Sequence, residues 1–156
     1  MIIKEFGHLA FNVSDMDRAL HFYCDILGLE KAFSIRVPED IAKRMPGSPL
    51  AAMAGKESII YLRFGGGAFL ELFYPTPYTN MNSGGPNYDN IGYAHLSLIV
   101  DDLAACEKEL RDNGVQLDSE IHTGPDNTAT LWIKDPDGNR IELMQYSENS
   151  LQVIHR

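Results

Sequence analysis

The sequence GHLAFNVSD at positions 7–15 contains a pattern that returns near the middle of the chain. A valine, an aspartate and a small residue follow His8 by five, seven and eleven positions. The same offsets from His95 lead to Val100, Asp102 and Cys106. A pattern kept over this length indicates an internal duplication, so we expect two modules of the same fold.

The two halves also end alike. The segments GAFLELF at 67–73 and GNRIELM at 138–144 each place a glutamate four residues after a glycine, between aliphatic residues. These glutamates are Glu71 and Glu142. Each module is therefore predicted to carry one histidine on its first strand and one glutamate on its last.

The first module reads as strand, helix and three strands. Residues 3–13 alternate with a period of two, which is typical of a half-buried strand. Ser14 and Asp15 can cap a helix that Gly28 ends. Strands are predicted at 29–37, 59–64 and 68–74, the last two joined by Gly65–Gly67. The loop at 38–57, with at most one short helical turn, is a candidate lid.

The second module repeats this order. We expect a strand at 95–100, a helix from Asp101 and Asp102 to 112, and a strand at 115–121. A turn at 122–127 then precedes a hairpin of 128–134 with 140–146. The predicted fold class is α+β, with two βαβββ modules at 3–75 and 92–147 and a connector at 76–91, together one domain of 1–156. Two such sheets, each with a helix on its outer face, leave inner faces that can enclose a cavity.

Composition limits the function classes. The net charge of −9 disfavours nucleic acid and anionic membranes as partners, because both require a basic surface. No apolar run approaches the roughly 20 residues of a membrane-spanning helix, and the N-terminus has no signal-peptide pattern. Cys24 and Cys106 are far apart and read as small buried residues, so a cytoplasmic location is expected.

The four repeated side chains predict a metal site. A buried carboxylate is costly unless it faces water, a cation or a metal, and both glutamates lie within apolar runs. A pseudo-twofold axis between the modules would bring together His8, Glu71, His95 and Glu142. Two imidazoles and two carboxylates suit Zn²⁺, Ni²⁺, Co²⁺, Mn²⁺ or Fe²⁺. Such an ion can act as a Lewis acid on the oxygens of a small-molecule substrate.

A glutamate in this set can also act as general base on a carbon acid. We assign that role to Glu142, with Glu71 as its symmetry counterpart. Arg63 and Arg140 lie on predicted strands where they can meet an anionic substrate, although cross-strand ion pairs are the more ordinary role for them. Solvated or structural roles for single histidines and glutamates are common; the coincidence of all four within the repeat favours the metal.

These motifs together resemble the vicinal oxygen chelate superfamily, which includes glyoxalase I, methylmalonyl-CoA epimerase, extradiol dioxygenases and antibiotic-resistance proteins. The resemblance spans nearly the whole chain and rests on three segments: His8 with VSD at 13–15, GYAH at 92–95 with VDD at 100–102, and DPDGNRIEL at 135–143. It implies a fold of paired half-barrels. It also implies a homodimer whose sites form between modules, with His8 and Glu71 meeting His95 and Glu142 of the partner chain.

Within that superfamily, the order His-Glu-His-Glu resembles the glyoxalase I pattern, a metal-dependent lyase. Epimerases usually have glutamine where this chain has Glu71, and dioxygenases use two histidines and one glutamate. The resemblance also shows departures: Asn12 stands where related bacterial enzymes have an arginine that holds glutathione, and Pro75 stands where they have an asparagine. Asn12 is therefore a candidate substrate contact. An acyl-CoA epimerase, an Fe²⁺-dependent dioxygenase and a non-catalytic ligand-binding or resistance protein are the alternatives.

Overall fold

The computed structural model describes residues 4–81 and 91–155. The chain divides into two compact units, one ending at Ser83 and the other beginning at Gly84. Each unit contains one four-stranded sheet with both parallel and antiparallel pairs. The predicted α+β class is therefore confirmed. The module limits of 3–75 and 92–147 stay a prediction, and much of the connector at 76–91 lies outside the described residues.

The first unit follows the predicted order with additional short helices. Its strands are β1 (His8–Asn12), β2 (Glu30–Arg36), β3 (Glu57–Arg63) and β4 (Phe69–Phe73). Helix α1 (Met16–Leu20) continues into a π-helical turn, His21–Ile26, and α2 (Glu39–Arg44) precedes a 3₁₀ helix at Pro49–Met53. A second 3₁₀ turn, Gly65–Gly67, joins β3 to β4.

The first sheet has the strand order β1-β4-β3-β2. The first strand of the unit, β1, pairs in parallel with the last strand, β4, and β3 pairs antiparallel with both β4 and β2. Alternate residues of β3 and β4 are fully buried on one face, which forms the core: Ile60, Leu62, Leu70 and Leu72. The opposite face carries the side chains that the sequence singled out.

The second unit has strands β5 (Leu96–Ile99), β6 (His122–Thr123), β7 (Ala129–Lys134) and β8 (Arg140–Gln145). Its helices are α3 (Leu103–Asp112) and α4 (Leu151–Ile154). The strand order β5-β8-β7-β6 has the same form as in the first unit, with a parallel pair of β5 and β8. Helix α3 packs against β7 and β8, and burial of Leu103 and Leu110 covers that face.

The helix ends follow the internal repeat. Asp15 accepts a hydrogen bond from the backbone N–H of Arg18, and Asp102 accepts one from that of Ala105, both at 3.0 Å. Each aspartate thus satisfies a backbone donor in the first turn of its helix. Gly28, after the π-helical turn that extends α1, and Gly114, after α3, have φ values of 76° and 74°, the left-handed conformation that glycine adopts without strain.

Two sequence predictions were wrong in detail. The segment 38–57 contains two short helices where one helical turn was expected; acidic residues in the first turn of α2 and basic residues in its last turn suit the helix dipole. The predicted strand at 115–121 is reduced to an isolated bridge between Leu117 and Ile133. The short strand β6 instead begins at His122, inside the predicted turn.

The turn between β7 and β8 is organised by one buried carboxylate. Asp135 is 5% exposed, and its Oδ1 accepts hydrogen bonds from the backbone N–H groups of Asp137 and Asn139 at 2.9 and 2.8 Å. Its Oδ2 accepts a third from the Asn139 side chain at 2.8 Å. This clamp fixes the hairpin that places Glu142.

We predict that Asp135→Ala lowers the free energy of unfolding by about 3 kcal/mol, because three half-buried donors lose a charged acceptor. Urea denaturation monitored by circular dichroism measures the change. Asp135→Asn, which keeps one acceptor oxygen, is the control and should lose clearly less. An alanine variant as stable as the wild type would contradict the clamp.

Across residues 4–81 and 91–155, every helix is too short or too polar to cross a lipid bilayer.

Candidate metal centre

In the first unit, His8 and Glu71 lie on neighbouring strands of one sheet face. His8 begins β1, and the parallel register places Ala10, two residues further on, opposite Glu71 of β4. Residues two apart on a strand point to the same side of a sheet. His8 Nε2 consequently lies 3.2 Å from Glu71 Oε2. The parallel pairing of the first and last strands is what brings together residues 63 positions apart in the chain.

The second unit builds the same pair. His95 directly precedes β5, and Ser97, two residues on, is opposite Glu142 of β8. His95 Nε2 lies 3.4 Å from Glu142 Oε2. The contact between the histidine and the glutamate of one unit is thus repeated in the other.

An aromatic residue stands across from each glutamate. Tyr61 of β3 is opposite Glu71, and Trp132 of β7 is opposite Glu142. Each ring meets the histidine of its own unit edge-on, with centroids 5.9 Å apart for His8 and 4.9 Å apart for His95. These contacts restrict the movement of both imidazoles.

Sequence reasoning missed the two aromatic residues, although a signal for them was present. A hairpin centred on Gly66 places position 61 opposite position 71, and one centred on Asp137 places 132 opposite 142. Counting residues outward from the centres of the two predicted turns would have identified both aromatic residues.

The hydroxyl of Tyr61 donates a hydrogen bond to Glu71 Oε1 at 2.6 Å. This bond to a carboxylate, together with burial, raises the pKa of Tyr61 to about 12. The two oxygens of Glu71 therefore have different partners: Oε1 accepts from the phenol, and Oε2 faces the His8 imidazole.

The two carboxylates differ in exposure and in electrostatics. The side chain of Glu71 is 8% exposed, and that of Glu142 is 14% exposed. Burial raises the pKa of Glu142, against the opposing effect of nearby His95; Asp126 raises it further, while His122 and the Ser97 hydroxyl lower it. Glu142 thus holds a proton more tightly than an ordinary surface glutamate does, which is the property expected of a general base.

The donor geometry fits chelation of a divalent ion. Two ligands at ~2.1 Å from an ion lie about 3.0 Å apart at an octahedral right angle and about 3.4 Å apart at a tetrahedral angle. The observed separations of 3.2 and 3.4 Å fall within this range. Within the part of the chain that the structure describes, neither pair is joined by a third histidine, cysteine, aspartate or glutamate. Each unit thus offers a two-donor half-site.

The predicted substrate contacts lie on the same faces. The Arg63 guanidinium is 5.7 Å from the centre of the Phe69 ring, and that of Arg140 is 4.7 Å from the Trp132 ring. Arg63 is two residues after Tyr61 on β3, and Arg140 is two residues before Glu142 on β8, so each arginine shares the face of a glutamate. Asn12, at the end of β1, is exposed and shares the His8 face.

Comparison with known proteins agrees with this architecture. A relative from Synechocystis sp., named as a probable lactoylglutathione lyase, is 29% identical over 147 residues, which cover 90% of this chain and 94% of the relative. The lactoylglutathione lyase of Salmonella typhimurium is 30% identical over 146 residues, covering 88% of this chain and 90% of that protein.

A solved structure and a family model extend the comparison. The crystal structure of a glyoxalase/dioxygenase from Nostoc punctiforme matches with a TM-score of 0.67 and 23% identity, covering 93% of this chain and 92% of that one. It shows the shared fold. The model of the Glyoxalase/Bleomycin resistance protein/Dioxygenase superfamily matches residues 5–143, a range that contains both histidine–glutamate pairs. By sequence match and by the repeated sheet that positions those pairs, the chain belongs to this superfamily.

Proposed function

We propose that the protein is a metal-dependent lyase or isomerase of the lactoylglutathione lyase type, acting on a carbon acid with neighbouring oxygens. The observation that carries the proposal is the repeated half-site, a histidine Nε2 and a glutamate Oε2 separated by 3.2 Å in one unit and 3.4 Å in the other. The names of the relatives and the family support the same reaction class.

The proposed ligands are His8, Glu71, His95 and Glu142. Each half-site supplies one neutral imidazole nitrogen and one carboxylate oxygen, so two half-sites balance the charge of one divalent ion. This donor set suits Zn²⁺, Ni²⁺, Co²⁺, Mn²⁺ or Fe²⁺. We propose that the active form is a cytoplasmic homodimer in which the half-sites are completed between modules.

Glu142 is the proposed general base. When bound, the divalent ion would supply Lewis acidity toward the substrate oxygens. Glu142 takes the proton from the hydroxyl-bearing carbon next to the substrate carbonyl and returns it to the former carbonyl carbon. The hydroxyl proton passes to the oxygen of that second carbon, so the substrate is isomerised without net loss of a proton. The 14% exposure of the Glu142 side chain leaves the carboxylate accessible from the sheet face.

Arg63, Arg140 and Asn12 are proposed to bind the remainder of the substrate. Two guanidinium groups on the faces that carry the glutamates favour an anionic substrate, because they offset the negative charge of the carboxylates. The rings under the guanidinium groups hold them by cation–π contact.

Removal and return of the metal tests the proposal. We expect protein treated with a chelator to lose its activity. It should regain activity when one divalent ion is bound for each set of four ligands, with metal content measured by elemental analysis and activity by turnover.

A panel of substrates then separates the alternatives. Hemithioacetal isomerisation supports the lyase, α-proton exchange on acyl thioesters supports an epimerase, and O₂ uptake with Fe²⁺ supports a dioxygenase. Metal content below one quarter of the expected ratio after reloading would contradict the proposed enzymatic function and favour a ligand-binding protein.

A further inference from the structure

The two glutamates occupy equivalent positions but have different neighbours across the strand. The residue opposite Glu71 on β3 is a tyrosine, whereas Glu142 lies opposite Trp132 on β7 and opposite Ser97 on β5. Tyr61 Oη lies 2.6 Å from Glu71 Oε1, while Glu71 Oε2 faces His8. Both oxygens of Glu71 therefore have a partner in their own unit, Tyr61 at Oε1 and His8 at Oε2. The second unit has no tyrosine at the equivalent strand position.

The phenol of Tyr61 is itself held in place. Its ring stacks on Phe33 with centroids 4.4 Å apart and an interplanar angle of 15°. The Phe69 ring meets it edge-on at 5.9 Å. A ring packed on two sides has little freedom to rotate away, so its hydroxyl donates from a fixed position. The hydrogen bond is short and made to a charged acceptor, which belongs to the stronger class of protein hydrogen bonds.

We propose that Tyr61 is a positioning residue: its hydrogen bond fixes the Glu71 carboxylate in the orientation of a metal ligand. This inference rests on the proposed function. Rotation of Glu71 away from the ion would break the Tyr61 hydrogen bond, so such a movement has an additional energetic cost. Tyr61 thereby holds Glu71 beside His8 whether or not an ion is bound.

The test compares two tyrosine variants of the same unit. Tyr61→Phe removes one oxygen atom and keeps the ring packed on Phe33. Tyr74→Phe is the matched control, because Tyr74 Oη also donates to a glutamate, Glu57 Oε2 at 2.9 Å, outside the histidine–glutamate pair. Both variants lose a tyrosine–carboxylate hydrogen bond, so a purely structural effect should be similar in both.

Competition with a chromophoric chelator for Zn²⁺ measures the metal affinity of the full chain. We expect Tyr61→Phe to weaken Zn²⁺ binding by about 10- to 100-fold, the range found for residues that orient metal ligands. Tyr74→Phe should stay within about threefold of the wild type on the same scale. The visible absorption of the Co²⁺-loaded protein should change in the Tyr61 variant alone. Thermal unfolding without metal checks that both variants fold.

Equal Zn²⁺ affinity and an unchanged Co²⁺ spectrum in Tyr61→Phe would overturn the inference, as would a wild-type protein that binds neither ion. Affinity is measured without substrate, so the two proposals can fail separately. Weakened binding in Tyr61→Phe, with no turnover of any substrate by the wild type, would support the positioning role and contradict the proposed reaction. Unchanged Zn²⁺ binding in Tyr61→Phe, with normal lyase turnover by the wild type, would contradict the positioning role and support the proposed reaction.

Discussion

Glu142→Gln is expected to lower turnover by about a thousandfold, within the range that a positioned general base contributes. The amide keeps the size and an oxygen donor of the carboxylate but cannot accept the substrate proton. Steady-state kinetics of the metal-loaded variant measures the loss. Turnover within tenfold of the wild type, at equal metal content, would contradict the assignment of Glu142 as base.

The stability of the same variant without metal provides its control. Burial raises the pKa of Glu142 in the folded protein, so the folded state binds this proton more tightly than the unfolded state does. The corresponding stability is fully present below the unfolded-state pKa and is lost as the pH rises through the higher folded-state pKa. Glu142→Gln, which does not ionise, should therefore unfold at or above the wild-type temperature at neutral pH. If Glu142→Gln melts at a lower temperature than the wild type, unfolding would explain the lost activity.

His8→Ala is expected to weaken Zn²⁺ binding by more than about a hundredfold, because removal of a ligand should cost more than removal of a residue that orients one. His95→Ala should have an effect of the same order if the two half-sites hold one ion. Isothermal titration with Zn²⁺ measures both affinities and the stoichiometry.

His21→Ala is the matched control for these variants. His21 is exposed, lies on the π-helical turn and pairs with Asp25 at 2.8 Å, outside either histidine–glutamate pair. Its removal should leave the affinity for Zn²⁺ unchanged. An effect of His8→Ala no larger than that of His21→Ala would exclude His8 from the ligand set, and a ratio of two ions per chain would show that the half-sites act separately.

The repeated elements were predictable because two independent signals agreed on each of them. Asp15 and Asp102 mark the helix starts, and Gly28 and Gly114 follow the ends of the helical segments. The helix limits predicted in one half of the chain were therefore supported by equivalent residues in the other half. The same repeat singled out one histidine and one glutamate in each module, and their contact inside each unit is a finding of the structure. The joining of the two half-sites around one ion stays a prediction.

The errors fell in segments that contain none of the residues repeated between the two halves. Residues 115–121 include Asp118, Ser119 and Glu120, and these polar side chains leave the segment without a continuous alternating face. The backbone N–H of Asp118 donates to the carbonyl of Trp132, and the backbone N–H of Trp132 donates to Ser119 Oγ. These two hydrogen bonds hold the segment beside β7 without a full ladder. The helix at Glu39–Arg44 was hidden by prolines at 38, 46 and 49, although Pro38 directly before a helix is compatible with helix initiation.

The parallel contact between the opening and closing strands of each unit has a consequence during synthesis. A chain emerging from the ribosome presents its histidine first, and the partner carboxylate follows only when nearly the whole unit has been made. Closure across such a distance must await the intervening strands. An incomplete unit therefore cannot bring this pair together, and any metal that the proposed ligands bind requires each half of the protein to have finished folding.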